Sequence, residues 1–254
     1  MFKKKGIIKI VLILILILAL GVSEAWCEPL PIPKIGLDIE AAESPEDVAL
    51  SMQILFMLTI LSIAPSLLIM LTSFTRIIIV LSFTRNAIGT QQMPPNQVLI
   101  GLALFLTFFV MSPVITEINE TAFMPYTNGE ITQDEAIKKA SEPIRTFMFK
   151  YTREKDLALF LKLGQVNQPL AKNDIPTSTL IPAFIISELK TAFEIGFFLY
   201  IPFLMIDMIV SSTLMSMGMM MLPPIMISMP FKILLFVMVD GWNLIVKSLI
   251  LGFK

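Results

Sequence analysis

The chain has 254 residues, of which 56% are hydrophobic and 15% are charged, and its formal net charge is -1. A soluble domain typically has about 25% charged residues, so this composition predicts an integral membrane protein. The chain has no histidine and one cysteine, which excludes a Ser-His-Asp triad, a His-ligated zinc site and an intramolecular disulfide. These absences remove the commonest catalytic and metal-binding arrangements and, together with the alternatives weighed below, lead us to expect no enzyme activity, no metal and no cofactor. The balanced charge gives no reason to expect nucleic-acid binding.

Residues 1–25 are typical of a secretory signal peptide. Several lysines precede an apolar core, Ile10–Leu20, which is too short for a membrane span of about 20 residues. Small residues at Ser23 and Ala25 suit a signal peptidase, so we expect cleavage after Ala25; the alternative is an uncleaved first anchor. Residues 26–47 follow as an acidic, proline-containing segment that we expect to be exposed and flexible.

Residues 48–114 are predicted to form a first hydrophobic helical hairpin. No charge occurs from Val48 to Thr75, and Val98–Val114 is a second apolar segment of membrane length. Arg76 and Arg85 are the only charges from residue 50 to residue 115. The positive-inside rule places such residues on the cytoplasmic side, so we interpret both as topology anchors.

Residues 115–178 differ in composition, with nine acidic and eight basic residues. Thr132–Glu135 has the sequence of a capping box, and apolar residues recur behind it at helical spacing. This pattern predicts a small helical insert outside the membrane. Phe147 and Phe160 lie on the apolar stripes of two short helices, and we expect these rings to dock against each other or against a neighbouring subunit.

Residues 179–254 form a second hydrophobic half in which charges are sparse. Lys190 and Glu194 are four residues apart, so they are expected to pair on one helix face. Glu188 lies off that pair, and we expect it to contact a neighbouring helix or subunit. These three residues join Phe147 and Phe160 as the candidate subunit contacts.

A concentration of methionine marks the middle of this second half. Nine of the chain's 18 methionines lie between Met205 and Met229. Methionine is unbranched and polarizable, and it repacks around surfaces of different shape. Glycine weakens a helix and proline cannot donate a backbone hydrogen bond, so we predict a helix break that presents a deformable loop. Methionine as plain core filler is the alternative. The candidate loop residues are Gly218, Met219, Met220, Met221, Pro223 and Pro224.

Three long stretches carry a family resemblance. They are PSLLIMLTSFTRIIIVLSFTRNAIGTQQMPPNQVLIGLALFLTFFVMSPV (Pro65–Val114), LIPAFIISELKTAFEIGFFLYIPF (Leu180–Phe203), and LMSMGMMMLPP with FKILLFVMVDGWNLI (within Leu214–Ile245). Together they closely resemble the FliP family, the core subunits of the flagellar type III protein export gate. The same family includes the corresponding subunits of virulence secretion systems, and the signal peptide and the closeness of the match favour the flagellar form.

The resemblance implies an all-α fold of membrane-associated helical hairpins with a small extracytoplasmic insert. It also implies a homo-oligomeric ring, a pentamer in the family, that is joined by FliQ and FliR in the bacterial inner membrane at the flagellar basal body. Such a ring would conduct unfolded flagellar proteins outward from FlhA and FlhB. In this comparison the run Met219–Met221 is similar to the family's methionine gasket, which seals the closed pore.

Two other classes of protein are weighed against this interpretation. A small-molecule or ion transporter should show inverted repeats with matching broken segments in its two halves, and only one methionine-rich break is evident. An intramembrane enzyme would need paired acids or a nucleophile with a base. Asp207 and Asp240 are the acids deep in the second half, and structural placement explains them better.

Overall fold

The computed structural model describes residues 45–90, 92–165, 171, 174–219 and 221–253. The expected signal peptide, most of the acidic segment and Met220 lie outside the described residues, so the interpretations of these parts stay predictions. Within the described part of the chain all regular secondary structure is helical. This confirms the all-α class.

Nine α-helices and one π-helix follow one another along the described part of the chain. In chain order they are α1 (Pro45–Met70), α2 (Phe74–Ile88), α3 (Asn96–Ile118), a π-helix (Asn119–Phe123), α4 (Met124–Thr127), α5 (Gln133–Tyr151), α6 (Glu154–Leu163), α7 (Thr177–Ser216), α8 (Pro224–Met238) and α9 (Gly241–Leu251).

The chain divides into two units, Met1–Gln53 and Ile54–Lys254. Of the first unit the structure describes residues 45–53, which are helical. All the packing below belongs to the second unit, which includes the whole of the predicted insert at residues 115–178.

Among the residues that the structure describes, two continuous helical stretches are long and apolar enough to cross a membrane. They are Asn96–Thr127, with 32 residues, and Thr177–Ser216, with 40 residues. The bent pair of α8 and α9, which turns by 62°, would make a third span if it is counted as one. At 1.5 Å per residue α7 is about 60 Å long, roughly twice the thickness of a bilayer's hydrocarbon core. Part of α7 must therefore lie outside the hydrocarbon region.

The apolar stretch Val48–Thr75, which we expected to form one span, is divided in the structure. Helix α1 ends at Met70 and α2 begins at Phe74. The reason lies in their surroundings: α1 leaves most of its side chains exposed, whereas α2 is packed inside the protein against α7 and α3. The absence of charge therefore does not show where α1 ends, and a span formed by α1 itself stays a prediction.

Local signals account for several of the helix ends. In α5 the Glu135 N–H donates to Thr132 Oγ1 at 3.4 Å, and the Thr132 N–H donates to Glu135 Oε2 at 3.1 Å. These two bonds confirm the predicted capping box. Helix α2 ends where Gly89 takes a left-handed φ of 88° and donates its N–H to the Asn86 carbonyl, a conformation that glycine adopts without strain.

The core is built around α2, which lies against α7 on one side and α3 on another. Gly196 of α7 allows their close approach, because a Cβ atom there would lie 2.6 Å from Cγ and Cδ2 of Phe83 on α2. The large apolar side chains that are most deeply buried come from these three helices and from α5. They are Ile77, Val80, Leu81, Leu99, Met148, Leu180 and Phe184.

A buried ion pair crosses this core. Arg76 of α2 is 5% exposed and Glu188 of α7 is 0% exposed, although 112 residues separate them. The Arg76 guanidinium donates from Nε to Glu188 Oε2 at 2.9 Å and from Nη2 to Glu188 Oε1. Arg76 was interpreted as a topology anchor and Glu188 as a candidate subunit contact. Glu188 is buried against Arg76 of its own chain, so it is not available for direct contact with another subunit. A substitution of Glu188 would affect assembly only indirectly, by disturbing this pair.

The predicted insert packs against α7 rather than standing apart. Phe147 is 7% exposed, and its ring centroid lies 6.0 Å from that of Phe184 on α7 and 6.3 Å from that of Phe253. We expected Phe147 to dock on Phe160 or on another subunit. Its ring contacts are instead with aromatic residues of its own chain, because α5 lies directly on the core. Phe160 is half-buried.

Helix α6 is tied to α7 by a polar cluster. Asp156 accepts from Arg153 Nε at 2.8 Å and from Ser187 Oγ at 2.7 Å, and the Arg153 N–H donates to Ser187 Oγ at 3.0 Å. Burial opposes the charged form of Asp156, but the hydrogen bonds from Ser187 and Arg153 outweigh it, so the pKa of Asp156 lies below its ordinary value. The resulting stabilisation is present at neutral pH and is lost as the pH falls through that lowered pKa.

Replacing Glu188 should destabilise the protein strongly. Glu188→Ala leaves the Arg76 guanidinium buried without its counter-charge, so we expect a loss of about 3–5 kcal/mol. Glu194→Ala is the matched control, because Glu194 lies on the same helix but is 57% exposed, and exposed pairs contribute about 0–1 kcal/mol. Thermal unfolding of the purified protein in detergent measures both variants. A Glu188→Ala protein that unfolds no earlier than the Glu194→Ala protein would contradict this role.

Candidate functional site

The methionine loop comprises residues 217–223 and joins α7 to α8. At its start the Gly218 N–H donates to the Met215 carbonyl at 3.0 Å, and the Met219 N–H donates to the Leu214 carbonyl at 3.0 Å. Gly218 has a φ of 73°. This pair of bonds around a left-handed glycine is a Schellman motif. The predicted break after α7 is therefore a defined helix stop that uses the lack of a Cβ atom at Gly218.

Two prolines define the end of the loop. Pro223 caps α8 with an extended backbone, and Pro224 is the first helical residue. Proline suits that first position because its fixed φ matches the helix and the missing N–H would have no intrahelical partner there. The Met226 N–H then donates to the Pro223 carbonyl at 3.1 Å. Both ends of the loop are thus fixed by backbone geometry, so the side chains of the loop are not needed to define where the helices end and begin.

The loop presents apolar side chains to its surroundings. Met221 is 98% exposed and Met217 is 70% exposed, while Met219 and Leu222 are each 45% exposed. An isolated exposed methionine is ordinary, but contiguous apolar exposure of this kind marks a surface that meets another apolar surface. The described part of the loop is therefore not core filler of this single chain.

A second ion pair lies between the two helices that flank the loop. Lys232 of α8 donates from Nζ to Asp207 Oδ2 of α7 at 2.6 Å, and Ser228 of α8 donates to Asp207 Oδ1 at 2.5 Å. Lys232 is 2% exposed and Ser228 is 0% exposed. Three polar groups are satisfied together within an apolar hairpin, so the pair fixes α8 on α7 beneath the loop.

An apolar cavity of about 460 Å³ lies between the same two helices, nearer the loop. Its wall includes Val210, Leu214 and Phe231, and it is open to the surface. A smaller cavity of about 250 Å³ lies beside the ion pair and is lined in part by Asn86 and Tyr200. The hairpin therefore has an open apolar groove near the loop and a polar attachment at the pair.

The structure places the other predicted residues away from the loop. Arg85 donates from Nη1 to Asn96 Oδ1 at 2.6 Å and to the Pro94 carbonyl at 3.3 Å, so it holds the turn between α2 and α3. Its role in topology stays a prediction. Lys190 and Glu194 are 3.7 Å apart on the exposed face of α7, which confirms their predicted pairing within the helix.

Asp207 and Asp240, the two acids considered for catalysis, are each hydrogen-bonded to a neighbouring side chain. The Asp207 carboxylate is held by Lys232, and Asp240 accepts from Asn243 Nδ2 at 3.0 Å. Among the residues that the structure describes, no group of three or more Cys, Asp or Glu side chains could hold a metal ion. An acid that is already paired with a buried lysine is a poor general base, so the geometry gives the enzyme alternative no support.

Sequence reasoning missed the pairing of Asp207 with Lys232. Asp207 was considered only as an acid in the apolar second half, and 25 residues separate it from Lys232. One signal was available: Ser228 and Lys232 are four residues apart, so they lie on one face of α8 and point to a common acidic partner.

Comparison with known proteins agrees with the resemblance. The model of the FliP family matches residues 57–249. The chain is 60% identical over 217 residues to the flagellar biosynthetic protein FliP of Bacillus subtilis, which covers 85% of this chain and 98% of that protein. It is 54% identical to the protein of that name from Pectobacterium carotovorum, with 80% and 79% coverage, and 52% identical to that of Aquifex aeolicus, with 80% and 86% coverage. This chain belongs to the FliP family.

Proposed function

We propose that this chain is a pore-forming subunit of the flagellar type III protein export gate and that its methionine loop seals the pore. Its relatives are flagellar biosynthetic proteins, and membrane-length helices fit a component of the export apparatus in the inner membrane at the basal body. The observation that carries the proposal is the exposed apolar loop with Met219 and Met221, held between two defined helix ends.

The physical demands on such a seal select this kind of loop. A channel wide enough for an unfolded polypeptide would leak ions if it stood open, and a hydrophobic constriction closes by excluding water. The constriction must also deform around passing side chains of every size, which stiff β-branched residues do poorly. Unbranched methionines meet both demands. A ring of subunits would bring several copies of Met219–Met221 to one level.

The stiff support beneath the loop fits the same role. The Schellman stop, the Pro223–Pro224 start and the Asp207–Lys232 pair fix where the loop begins and ends. A soft surface on a fixed frame can yield to cargo and return to one position. We infer that deformation is confined to the side chains of the loop.

Assembly with other copies accounts for the remaining apolar surface. Helices α7 and α8 expose large apolar side chains over much of their length. These include Phe193, Phe197, Phe198, Met205, Met208, Phe231 and Val237. We infer that these faces pack on sister subunits, which form a pentamer as in the family, and on FliQ and FliR. We also infer that FlhA and FlhB deliver unfolded flagellar substrates to the pore. Lys190, Glu194 and Phe160 are our candidates for direct subunit contacts.

The buried residues would then act on assembly indirectly. Glu188 and Phe147 lie inside this chain, where they shape the surface that α7 and α5 offer to a neighbour. Replacing either residue would lower the yield of assembled complex by disturbing that surface.

Removing the methionines should open the seal without preventing assembly. In the variant with Met219→Ala, Met220→Ala and Met221→Ala, the loop retains its Schellman stop and proline start but loses the side chains that would fill the constriction. We expect cells that express it to admit small ions and polar solutes, and the matching triple Leu variant to stay largely sealed. Conductance or uptake of a small solute measures the effect.

The control for this experiment is a second triple substitution. Met57→Ala, Met93→Ala and Met124→Ala removes three methionines that are 70%, 72% and 50% exposed and lie outside α7, α8 and the loop. We expect its permeability to equal that of the wild type. If the loop variant assembles normally and leaks no more than this control, the methionine loop is not the seal.

Breaking the second ion pair should loosen the frame of the loop. Lys232→Ala leaves the Asp207 carboxylate without its counter-charge, at a cost below the ~3–5 kcal/mol of a fully buried pair because the Asp207 side chain is 20% exposed. We expect swimming motility and flagellar export to fall by at least about tenfold. Lys247→Ala is the control, because Lys247 is exposed on α9. Export from Lys232→Ala cells at the level of Lys247→Ala cells would show that the pair is dispensable.

A further inference from the structure

The end of α9 lies on the buried Arg76–Glu188 pair. The Arg76 guanidinium, besides its two bonds to Glu188, donates from Nη1 to the Gly252 carbonyl at 3.3 Å. Its planar face lies over the Phe253 ring, with Cζ 4.0 Å from the ring centroid. Phe253 is 7% exposed. The last described residues of the chain thus cover one side of the ion pair.

The insert holds the same segment from another side. Tyr151 at the end of α5 donates its hydroxyl to the Phe253 carbonyl, and the two rings meet edge to face with centroids 5.2 Å apart. Phe147 stacks on Phe253 at 6.3 Å with 18° between the planes. Arg76, Tyr151 and Phe147 therefore enclose Phe253 from two different helices.

The chemistry of a helix end explains why the segment docks there. The last carbonyls of a helix have no intrahelical partner, and the partial negative charge at the C-terminus favours a nearby cation. Arg76 supplies both a donor and a positive charge to the end of α9, while Tyr151 satisfies the next carbonyl. Glu188 keeps the site neutral overall, so a fully charged arginine is tolerated inside the protein.

We propose that Gly252–Phe253 is a latch that docks α9 onto the Arg76–Glu188 pair. The segment is recognised through backbone carbonyls and one aromatic ring. Its docking closes the pair off from solvent. The same contact ties the far end of the α8–α9 segment to α2 and α5. The α8–α9 segment that follows the methionine loop would then be fixed at two places. The Asp207–Lys232 pair holds α8 on α7, and the latch holds the end of α9 on α2 and α5.

The test measures how often α9 undocks. Leu249 on α9 is 3% exposed, so in a Cys27→Ser background a Leu249→Cys substitution reports undocking as reaction with a water-soluble maleimide. We expect Phe253→Ala to raise the labelling rate of the full-length protein in detergent by at least about tenfold, because a cation–π contact and an aromatic burial are both lost. The control is Leu251→Ala, which removes a side chain that is 55% exposed two residues away.

Two milder variants keep the test decisive if Phe253→Ala folds poorly. Tyr151→Phe removes only the hydroxyl donor to the Phe253 carbonyl, and Phe253→Leu keeps an apolar side chain but loses the ring that faces the Arg76 guanidinium. Each should raise the labelling rate several-fold above that of the Leu251→Ala control. Labelling of all three variants at the control rate would overturn the latch. No transport is measured, so this outcome is independent of whether the loop seals a pore.

Discussion

A carboxylate with no exposed surface is the constraint on which this structure depends. Glu188 lies in the middle of an apolar helix, and burying its charge alone would cost several kcal/mol. Arg76 makes the burial possible, and in doing so it fixes the side of α7 that faces α2. Close packing at Gly196 and Phe83 follows on the same interface. The two hydrophobic halves of the chain are therefore joined by a specific ion pair. Apolar contact alone would give little preference for one helix register over another.

The second ion pair repeats this arrangement nearer the candidate site. Asp207 and Lys232 hold α8 on α7, and the loop between these helices carries its apolar side chains outward. The protein thus combines stiff charged attachments inside the helix packing with a soft apolar surface at the loop. This division suits a gate subunit, because a seal must yield while the frame that carries it does not. The isolated charged residues of this apolar sequence, paired as Arg76–Glu188 and Asp207–Lys232, thus set how α7 packs against α2 and α8.

Sequence alone predicted the features that depend on local chemistry. The helical class, the capping box at Thr132 and the stop at Gly218 follow from neighbouring residues, and so does the Lys190–Glu194 pair. The pairing of Arg76 with Glu188 could not be predicted in this way. Their separation of 112 residues means that only the packing of α2 on α7 decides the partner. The end of α1 at Met70 was missed for a related reason, because an unbroken apolar run does not show which part of it is exposed and which part is buried in the core. The partners of Phe147 were likewise set by tertiary packing.

The most direct test of the account is the mass of the intact complex. In the proposed gate, the exposed faces of α7 and α8 and the outward methionines meet other copies of the chain around a common path. Native mass spectrometry of the tagged, detergent-solubilised protein measures the number of copies per particle. A particle with several copies, five if the family's pentamer holds, is the predicted result. A stable monomer with no bound partner would contradict the gate role and leave the methionine loop without a surface to seal.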